Sequence, residues 1–316
     1  MMIPPYVPFH PKPCGKLVIV FDHGVSTSDK KVPLELGEER GTVGASHGWL
    51  ATLKDGVLRL QDDLNLSASD VDPKRISLPP LVTLPHCQTQ VVTNIAMSCS
   101  SPEEDDCVVA IKFLGPQLSF CRPAQRNSQW INIEIRNSSF YSSPVMFSKK
   151  DEMFRMPSSG GHLIGSWDLH RHMHKPKLLN VRFRNLPKLT KSMCQLLDSC
   201  YRSEHLVESP GGCGTFMVKW YRKKTRGLHK MKTKAVMVFK LDDQGNAVYT
   251  QDIGDVSIFL SRSEPFCVST AAGSYLSPVD PNHVYIQDYD EHGFVNIGIP
   301  LRVDADKVIS GHTPKS

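Results

Sequence analysis

Short apolar runs separated by turn residues fill this chain from residue 17 to residue 297. The pattern is densest between Leu206 and Val268. There Thr215–Tyr221, Ala235–Asp243, Ala247–Asp255 and Ser257–Val268 are rich in Val, Phe, Tyr and Ile, with Gly, Asn, Asp and Pro between them. Runs of this kind predict consecutive antiparallel strands joined by hairpins. Gly211, Gly212 and Gly214 at one break, and the Asp242–Asn246 stretch at the next, supply residues suited to tight turns.

The same rhythm runs through the rest of the chain. Leu17–Phe21 predicts a strand, and Asp22–Gly44 reads as a polar loop. Gly48–Leu53 and Val57–Leu60 flank Lys54-Asp55-Gly56, a hairpin with Asp-Gly at its turn. Residues 61–90 read as a linker holding Leu78-Pro79-Pro80-Leu81, and Val91–Ser98 as a strand before the acidic turn Pro102–Asp106. Cys107–Phe113, Gln117–Cys121 and Trp130–Ile135 form one set of strands; Val145–Ser148, Met153–Met156 and Leu163–Leu169 form another. Leu189, Met193, Leu196 and Leu197 have helical spacing, which predicts one short helix. Val284–Asp288 and Gly293–Ile297 make a last hairpin.

Sets of three or four strands recurring roughly every 40–60 residues are the mark of a β-propeller. Five units are visible, and the expectation is an all-β propeller of about six four-stranded blades with one short helix between blades. A β-sandwich fits less well, because a domain of that class seldom needs so long a chain. The expected domain spans 17–302. It follows a Pro-rich leader over 1–16 (Pro4, Pro5, Pro8, Pro11, Pro13) and precedes a polar tail over 303–316.

Composition adds bounds. The 316 residues are 40% hydrophobic and 22% charged, which suits a globular chain. The net charge of +5 is mild and does not by itself point to nucleic acid. The sequence holds no apolar run of membrane-spanning length. The nine cysteines are odd in number and form no Cys-x-x-Cys, a usage that predicts mostly buried, free thiols in a reducing compartment. The leader has neither the apolar core of a secretory signal nor the Arg of a transit peptide.

Four stretches carry candidate chemistry. Gly44-Ala45-Ser46-His47-Gly48 matches the Gly-x-Ser-x-Gly of a nucleophile elbow, but that device needs a helix after it, and a strand is predicted here. Along an extended chain His47 would also point away from Ser46. The plainer reading is a tight turn leading into a blade, with Trp49 packed between sheets. Asp168, His170, His172 and His174 alternate, and three imidazoles on one strand face are candidate metal ligands. The basic stretch ending at Pro176 favours an exposed loop instead, and no cofactor is expected. Lys219, Arg222, Lys223, Lys224, Arg226, Lys230, Lys232 and Lys234, with Trp220, Tyr221 and His229 among them, read as a basic loop. Its cations and aromatics suit phosphate contact and base stacking, although a solvated hairpin explains it as well. Cys194, Cys200 and the His86-Cys87 pair match no zinc-module spacing.

Several short motifs resemble the plant F-box-associated KIB-type β-propeller family. Val43–Leu50 looks like its opening blade motif, and Leu78-Pro79-Pro80-Leu81 like its inter-blade linker. His205–Ser209, Val238–Asp242, Asp252–Asp255 with Ile258–Ser261, and Asn282–Ile286 are similar to its later blades. Leu84–Thr89, Phe183–Pro187 and Tyr249–Asp255 resemble the branch described as organellar. The likeness covers residues 17–297. It implies a propeller with no established enzymatic activity, some of whose relatives carry an F-box segment and serve as substrate receptors of ubiquitin ligases. Residues 1–42 hold neither an F-box helix nor an Arg- and Ser-rich presequence.

The functional expectation is a non-enzymatic propeller that presents loops to an unidentified protein partner. The contact candidates are the loops around His170–Lys177 and Arg222–Lys232, in particular Arg222, Lys223, Lys224, Arg226 and Lys230. The alternatives are an accessory protein binding RNA through residues 219–234, and a ubiquitin-ligase adaptor. The resemblance implies a mitochondrial location; the leader's composition favours cytoplasm or nucleus.

Overall fold

The computed structural model describes residues 16–21, 24–31, 42–65, 68–69, 72–87, 89–169, 175–212, 214–225, 230–261, 263–270, 279–288 and 291–299. A hairpin of β1 (Lys16–Phe21) and β2 (Gly24–Lys31) precedes five blades. Blade 1 is the meander β3 (Thr42–Ser46), β4 (Trp49–Lys54), β5 (Val57–Gln61) and β6 (Arg75–Pro80). Blade 2 is β7 (Val92–Met97), β8 (Val109–Phe113), β9 (Gln117–Cys121) and β10 (Ile131–Glu134). Blade 3 is β11 (Met146–Ser148), β12 (Met153–Pro157), β13 (Leu163–Trp167) and β14 (Lys177–Asn180). The next strand, β15 (Arg182–Arg184), and the helix α1 (Lys191–Asp198) lead into blade 4. That blade runs β16 (Tyr201–Glu208), β17 (Thr215–Lys224), β18 (Met231–Leu241) and β19 (Asn246–Thr250), with β15 added parallel on its outer edge. Blade 5 contains β20 (Val256–Ser261), β21 (Phe266–Ser269), β22 (His283–Asp288) and β23 (Glu291–Asn296) in the order β21-β20-β22-β23. Its β20 and β22 are parallel, so it is not a simple meander.

Five blades replace the six expected. The repeats readable in the sequence were the whole set, and stretches read as connections proved to be strands completing or flanking them. β2 lies in the supposed loop 22–44, β6 in the supposed linker 61–90, and β14 beyond Leu169. All three lack the long apolar run of a middle strand: β2 is polar, β6 ends in two prolines, and β14 has two leucines between Lys177 and Asn180. β6 and β14 are outermost strands with one face in solvent, so they need no continuous apolar run. The short helix forms where expected, with Thr190 Oγ1 accepting from Met193 N–H at 3.3 Å as its N-cap.

The middle strands are buried on both faces because each blade lies between two others. In blade 2, Ile95, Met97, Val109, Ile111 and Phe113 pack with Trp49, Leu58 and Leu60 of blade 1. The alternate residues Ala96, Ala110, Leu118 and Phe120 pack with Phe154, Met156 and Trp167 of blade 3. Blade 4 divides in the same way. Leu206, Met217 and Phe239 meet Ile164 of blade 3, while Val207, Val218 and Val238 meet Ile258, Leu260, Val284 and Ile286 of blade 5. Strict side-chain alternation thus distributes one strand between two cores. The first strands line the ring's interior: β3 lies along β7, β7 along β11, and β11 and β12 against β16, which meets β21.

Turn chemistry fixes the hairpins. Asp55 (φ 51°) and Gly56 (φ 74°) both take positive φ, the two-residue turn that matches strand twist. The Asp242 carboxylate accepts from the Asn246 side-chain amide at 2.8 Å, Asn246 N–H at 2.7 Å and Gln244 N–H at 3.0 Å, which hold its carboxyl below the usual range. Gly245, at φ 83°, lets this turn abut blade 3: a Cβ there would stand 2.1 Å from Asn180 O.

Cys99 and Cys107 form a disulfide between the end of β7 and the approach to β8, an exception to the expected prevalence of free thiols. Their Cα atoms lie 5.5 Å apart, within bonding reach, although eight residues separate them in sequence. Cys87, Cys121, Cys194, Cys200 and Cys267 are free thiols.

Gly245→Ala is expected to cost about 2–4 kcal/mol in urea unfolding, since the backbone of Asn180 must move. Gly254→Ala, at φ 74° with nothing within 4 Å, should cost only about 1–2 kcal/mol, the strain of left-handed backbone. Equal losses would show that the blade 3–4 contact contributes nothing.

Candidate functional site

Polar groups gather in two places: where inner strands meet inside the ring, and along the outer end of blade 4. The interior cluster begins at Ser46, the last residue of β3. His47 follows in a turn at φ 50°, not in a strand, and so folds back towards its neighbour. Its Nδ1 lies 3.0 Å from Ser46 Oγ, contrary to the expectation that the two side chains diverge. Ser46 Oγ donates to Glu264 Oε2 at 2.6 Å and accepts from Met97 N–H at 3.2 Å. With its only proton given to Glu264, the hydroxyl also accepts from His47 Nδ1–H, and its valences are then filled. Glu264 Oε1 accepts Phe147 N–H at 3.2 Å, and Glu264 N–H donates to Ala45 O at 3.4 Å. One carboxylate therefore ties blade 5 to blades 1 and 3. Glu208, at the end of β16, does the same from blade 4: it accepts from Ser148 Oγ, and from Lys149 N–H at 3.0 Å. Phe147 and Lys149 N–H belong to the inner edge of blade 3, so carboxylates satisfy an edge that no further strand covers.

Burial pushes Glu264 up to about 7, against the hydrogen bonds from Ser46 and Phe147. Burial, with Lys149 nearby, pushes His47 down to about 4. Both shifts favour neutral groups. The Gly-x-Ser-x-Gly motif runs from strand through turn to strand, with no helix after it. Ser46 is 4% exposed, and its oxygen faces Met97 rather than a cleft. Trp49 packs between blades 1 and 2 as expected, its indole N–H reaching Ser100 O at 3.1 Å.

Two lysines are buried: Lys112, which sequence reasoning passed over, and Lys219, which it placed in the basic loop. Lys112 Nζ is enclosed in blade 2 and donates to the carbonyls of Phe113, Gly115 (2.8 Å) and Tyr141 (2.9 Å). Burial pushes it down to about 7, while three carbonyl acceptors suit the three protons of an ammonium. Lys219 lies over the Phe183 ring at 3.6 Å and directly across the strands from Glu204. Burial lowers it to about 8, with Glu204 opposing. No sequence periodicity marks either residue; each sits in an apolar strand as any inward residue would.

The second place is the basic stretch, and here the expected loop is mostly strand. β17 and β18 extend as a two-stranded ribbon as far as the pair Lys224 and Met231. Trp220 and Tyr221 are buried, at 2% and 7% exposure, so neither offers a stacking surface. Arg222 is engaged: it pairs with Asp288 at 2.9 Å and lies over the Trp220 ring at 4.1 Å. A bulge between Tyr221 and Arg222 makes Lys234 the extra residue of β18, and Thr233 N–H turns to Glu291 Oε2 at 2.6 Å. Asp288 and Glu291 of blade 5 thus anchor the ribbon's base. Lys223 stands directly opposite Lys232, and Lys223 Nζ donates to Ser199 Oγ at 2.8 Å, beside the end of α1. Lys224 and Lys230 are exposed. None of Lys224, Lys230, Lys232 and Lys234 forms an ion pair with a described residue. His170, His172, His174 and Arg226 lie outside the described residues. Among the described residues no group of three His, Cys, Asp or Glu is placed to hold a metal, and no helix is long and apolar enough to cross a membrane.

Charge is distributed unevenly. Residues 170–240 hold 17 Lys and Arg against 3 Asp and Glu, a net of +14; since the whole chain is +5, the remaining residues carry −9. The mild total conceals a strongly basic blade 4.

A family model described as the KIB1-4 beta-propeller matches residues 23–302. The chain belongs to that family. The KIB1-4 ring is similar in outline to a protein from Lactobacillus plantarum (12% identity, 81% of this chain and 74% of that one, TM-score 0.39). It is also similar to an α-L-arabinanase mutant from Cellvibrio cellulosa (10%, 75% and 88%, 0.31) and to the WD40 domain of SCAP from fission yeast (8%, 89% and 67%, 0.30). No curated protein matches the sequence. In the KIB1-4 frame, the interior cluster joins blades and the ribbon projects charge.

The Glu264 shift has a pH signature. Its folded value of about 7 exceeds the ordinary 4.5, so the native state keeps a proton that the unfolded state loses across that window. The stability it contributes is full below 4.5 and falls as pH rises towards 7. His47 acts oppositely between about 4 and 6.5, where its depressed value makes stability rise with pH. Comparing the unaltered protein with Glu264→Gln by thermal unfolding isolates the first effect. Their difference should shrink by up to about 1 kcal/mol per pH unit between 4.5 and 7. A difference independent of pH would mean that the carboxyl stays ionised throughout.

Proposed function

We propose that this KIB1-4 propeller is a non-enzymatic scaffold that docks a protein partner on the outer end of blade 4. The use of its polar groups carries the reading. In the interior cluster Ser46, Glu208 and Glu264 are spent joining blades, and His47 is bonded to Ser46 beside it. The lysines of the ribbon beyond Arg222 are not spent in this way. A rigid ring carrying an exposed, chemically distinct projection is an arrangement suited to recognition.

Of the contact candidates, Lys230 keeps that role, Lys223 shares it with its bond to Ser199, and Lys224, exposed as well, projects from the opposite side of the ribbon. Arg222 is reassigned to holding the ribbon's base on blade 5, through Asp288. The RNA alternative loses the stacking half of its rationale with the burial of Trp220 and Tyr221.

A photoreactive amino acid placed at Lys230 of the full chain, in the source tissue, is expected to yield one discrete protein adduct. The same group at Asp55, on the blade 1 turn, should yield none. Absence of an adduct at Lys230, or the same adduct from both positions, would remove blade 4 as the docking side.

A further inference from the structure

The ribbon's two faces differ, and the difference points to what it holds. In an antiparallel pair, directly opposed residues project to the same face. Lys223 and Lys232 therefore share a face. Thr225 and Lys230 continue it, joined through Thr225 N–H to Lys230 O at 2.8 Å. Lys234, the extra residue of the bulge, lies near the same Cys200 thiol as Lys223. The other face carries Arg222, Lys224, Met231 and Thr233.

Like charges held directly across a ribbon repel unless an anion lies between them. Lys223 and Lys232 are so placed, and neither forms an ion pair with a described acid. The surrounding +14 over residues 170–240 adds to that demand for negative charge. Resting on the scaffold reading, we infer that the face formed by Lys223, Lys230, Lys232 and Lys234 docks an extended acidic segment of the protein partner, with carboxylates at alternate positions.

Three observations select a polypeptide over a nucleic acid. Lys230 and Lys232 are two residues apart on a strand, about 7 Å, which is also the repeat of alternate side chains in an extended peptide. The aromatics that would stack bases, Trp220 and Tyr221, are buried. Arg222, whose planar fork would suit a phosphate, is held by Asp288.

A fluorescent peptide of alternating Asp and Ser, titrated with the full-length protein at low ionic strength, tests this. Binding is expected, and it should weaken as salt is added. Lys230→Glu combined with Lys232→Glu should weaken it by about tenfold or more, while Lys224→Glu on the opposite face should change it less than about twofold. Unchanged melting curves confirm that all variants fold. The inference is overturned if the peptide does not bind, if Lys224→Glu is as damaging as the double variant, or if a single-stranded oligonucleotide binds more tightly than the peptide. If one of these occurs while cross-linking at Lys230 still captures a protein, the acidic-segment assignment alone falls. If cross-linking fails as well, the scaffold reading falls with it.

Discussion

Burial of both faces of the middle strands is the constraint on which the rest of this structure depends. β8 and β9 expose almost nothing, and their side chains alternate between the blade before and the blade after. A sheet of this kind cannot stand alone in water: at roughly 25 cal/mol per Å² of apolar surface, an uncovered face would cost more than a single blade gains by forming. Each blade therefore needs two neighbours, and a ring gives every blade two.

The ring brings inner strand edges together without a backbone ladder between them. Those edges carry N–H groups that must find acceptors. Glu264 and Glu208 supply acceptors to the β11 edge, and Ser46 supplies one to Met97. Such a hydrogen bond contributes about 0.5–1.5 kcal/mol, and a partner removed leaves a buried donor unsatisfied at a cost of about 1–3 kcal/mol. The same burial moves Glu264 and His47 towards their neutral forms, so the chemistry-bearing cluster of the interior also serves to link blades. Catalytic residue types in a suggestive motif, as in Gly44–Gly48, are weak grounds for an enzyme when each polar atom has a structural bond to make.

Blade 4 resolves the opposite problem. It carries the longest strands, a parallel fifth strand and the helix, and its ribbon leaves the apolar core at Arg222. Blade 5 holds the ribbon at that point through Asp288 and Glu291, so its base is fixed while its lysines face outward. Cations that form no ion pair within the described ring are compatible with folding because water and salt weaken, without removing, the repulsion between them. They become consequential when an anion displaces that water.

The sequence by itself determined the class of fold, the direction of most strands, the Asp-Gly hairpin at Asp55-Gly56 and the helix after Leu189. These follow from local preferences: alternation, turn residues that tolerate positive φ, and helical spacing. It did not reveal β2, β6 or β14, because short outer or separate strands lack the long apolar run of a middle strand, and so the strands of each unit and the count of blades were misjudged. Cys99–Cys107, the buried lysines Lys112 and Lys219, and the Ser46–Glu264 link were decided by tertiary structure alone. Ser46 and Glu264 are 218 positions apart, and the nearer partners of the others meet only through turns and strand register that no spacing rule describes. The basic run was legible as charge, but its form was not. Whether a lysine is free or buried, and whether Trp220 shows its ring, depends on which side of a strand faces another sheet, and only the assembled ring sets that.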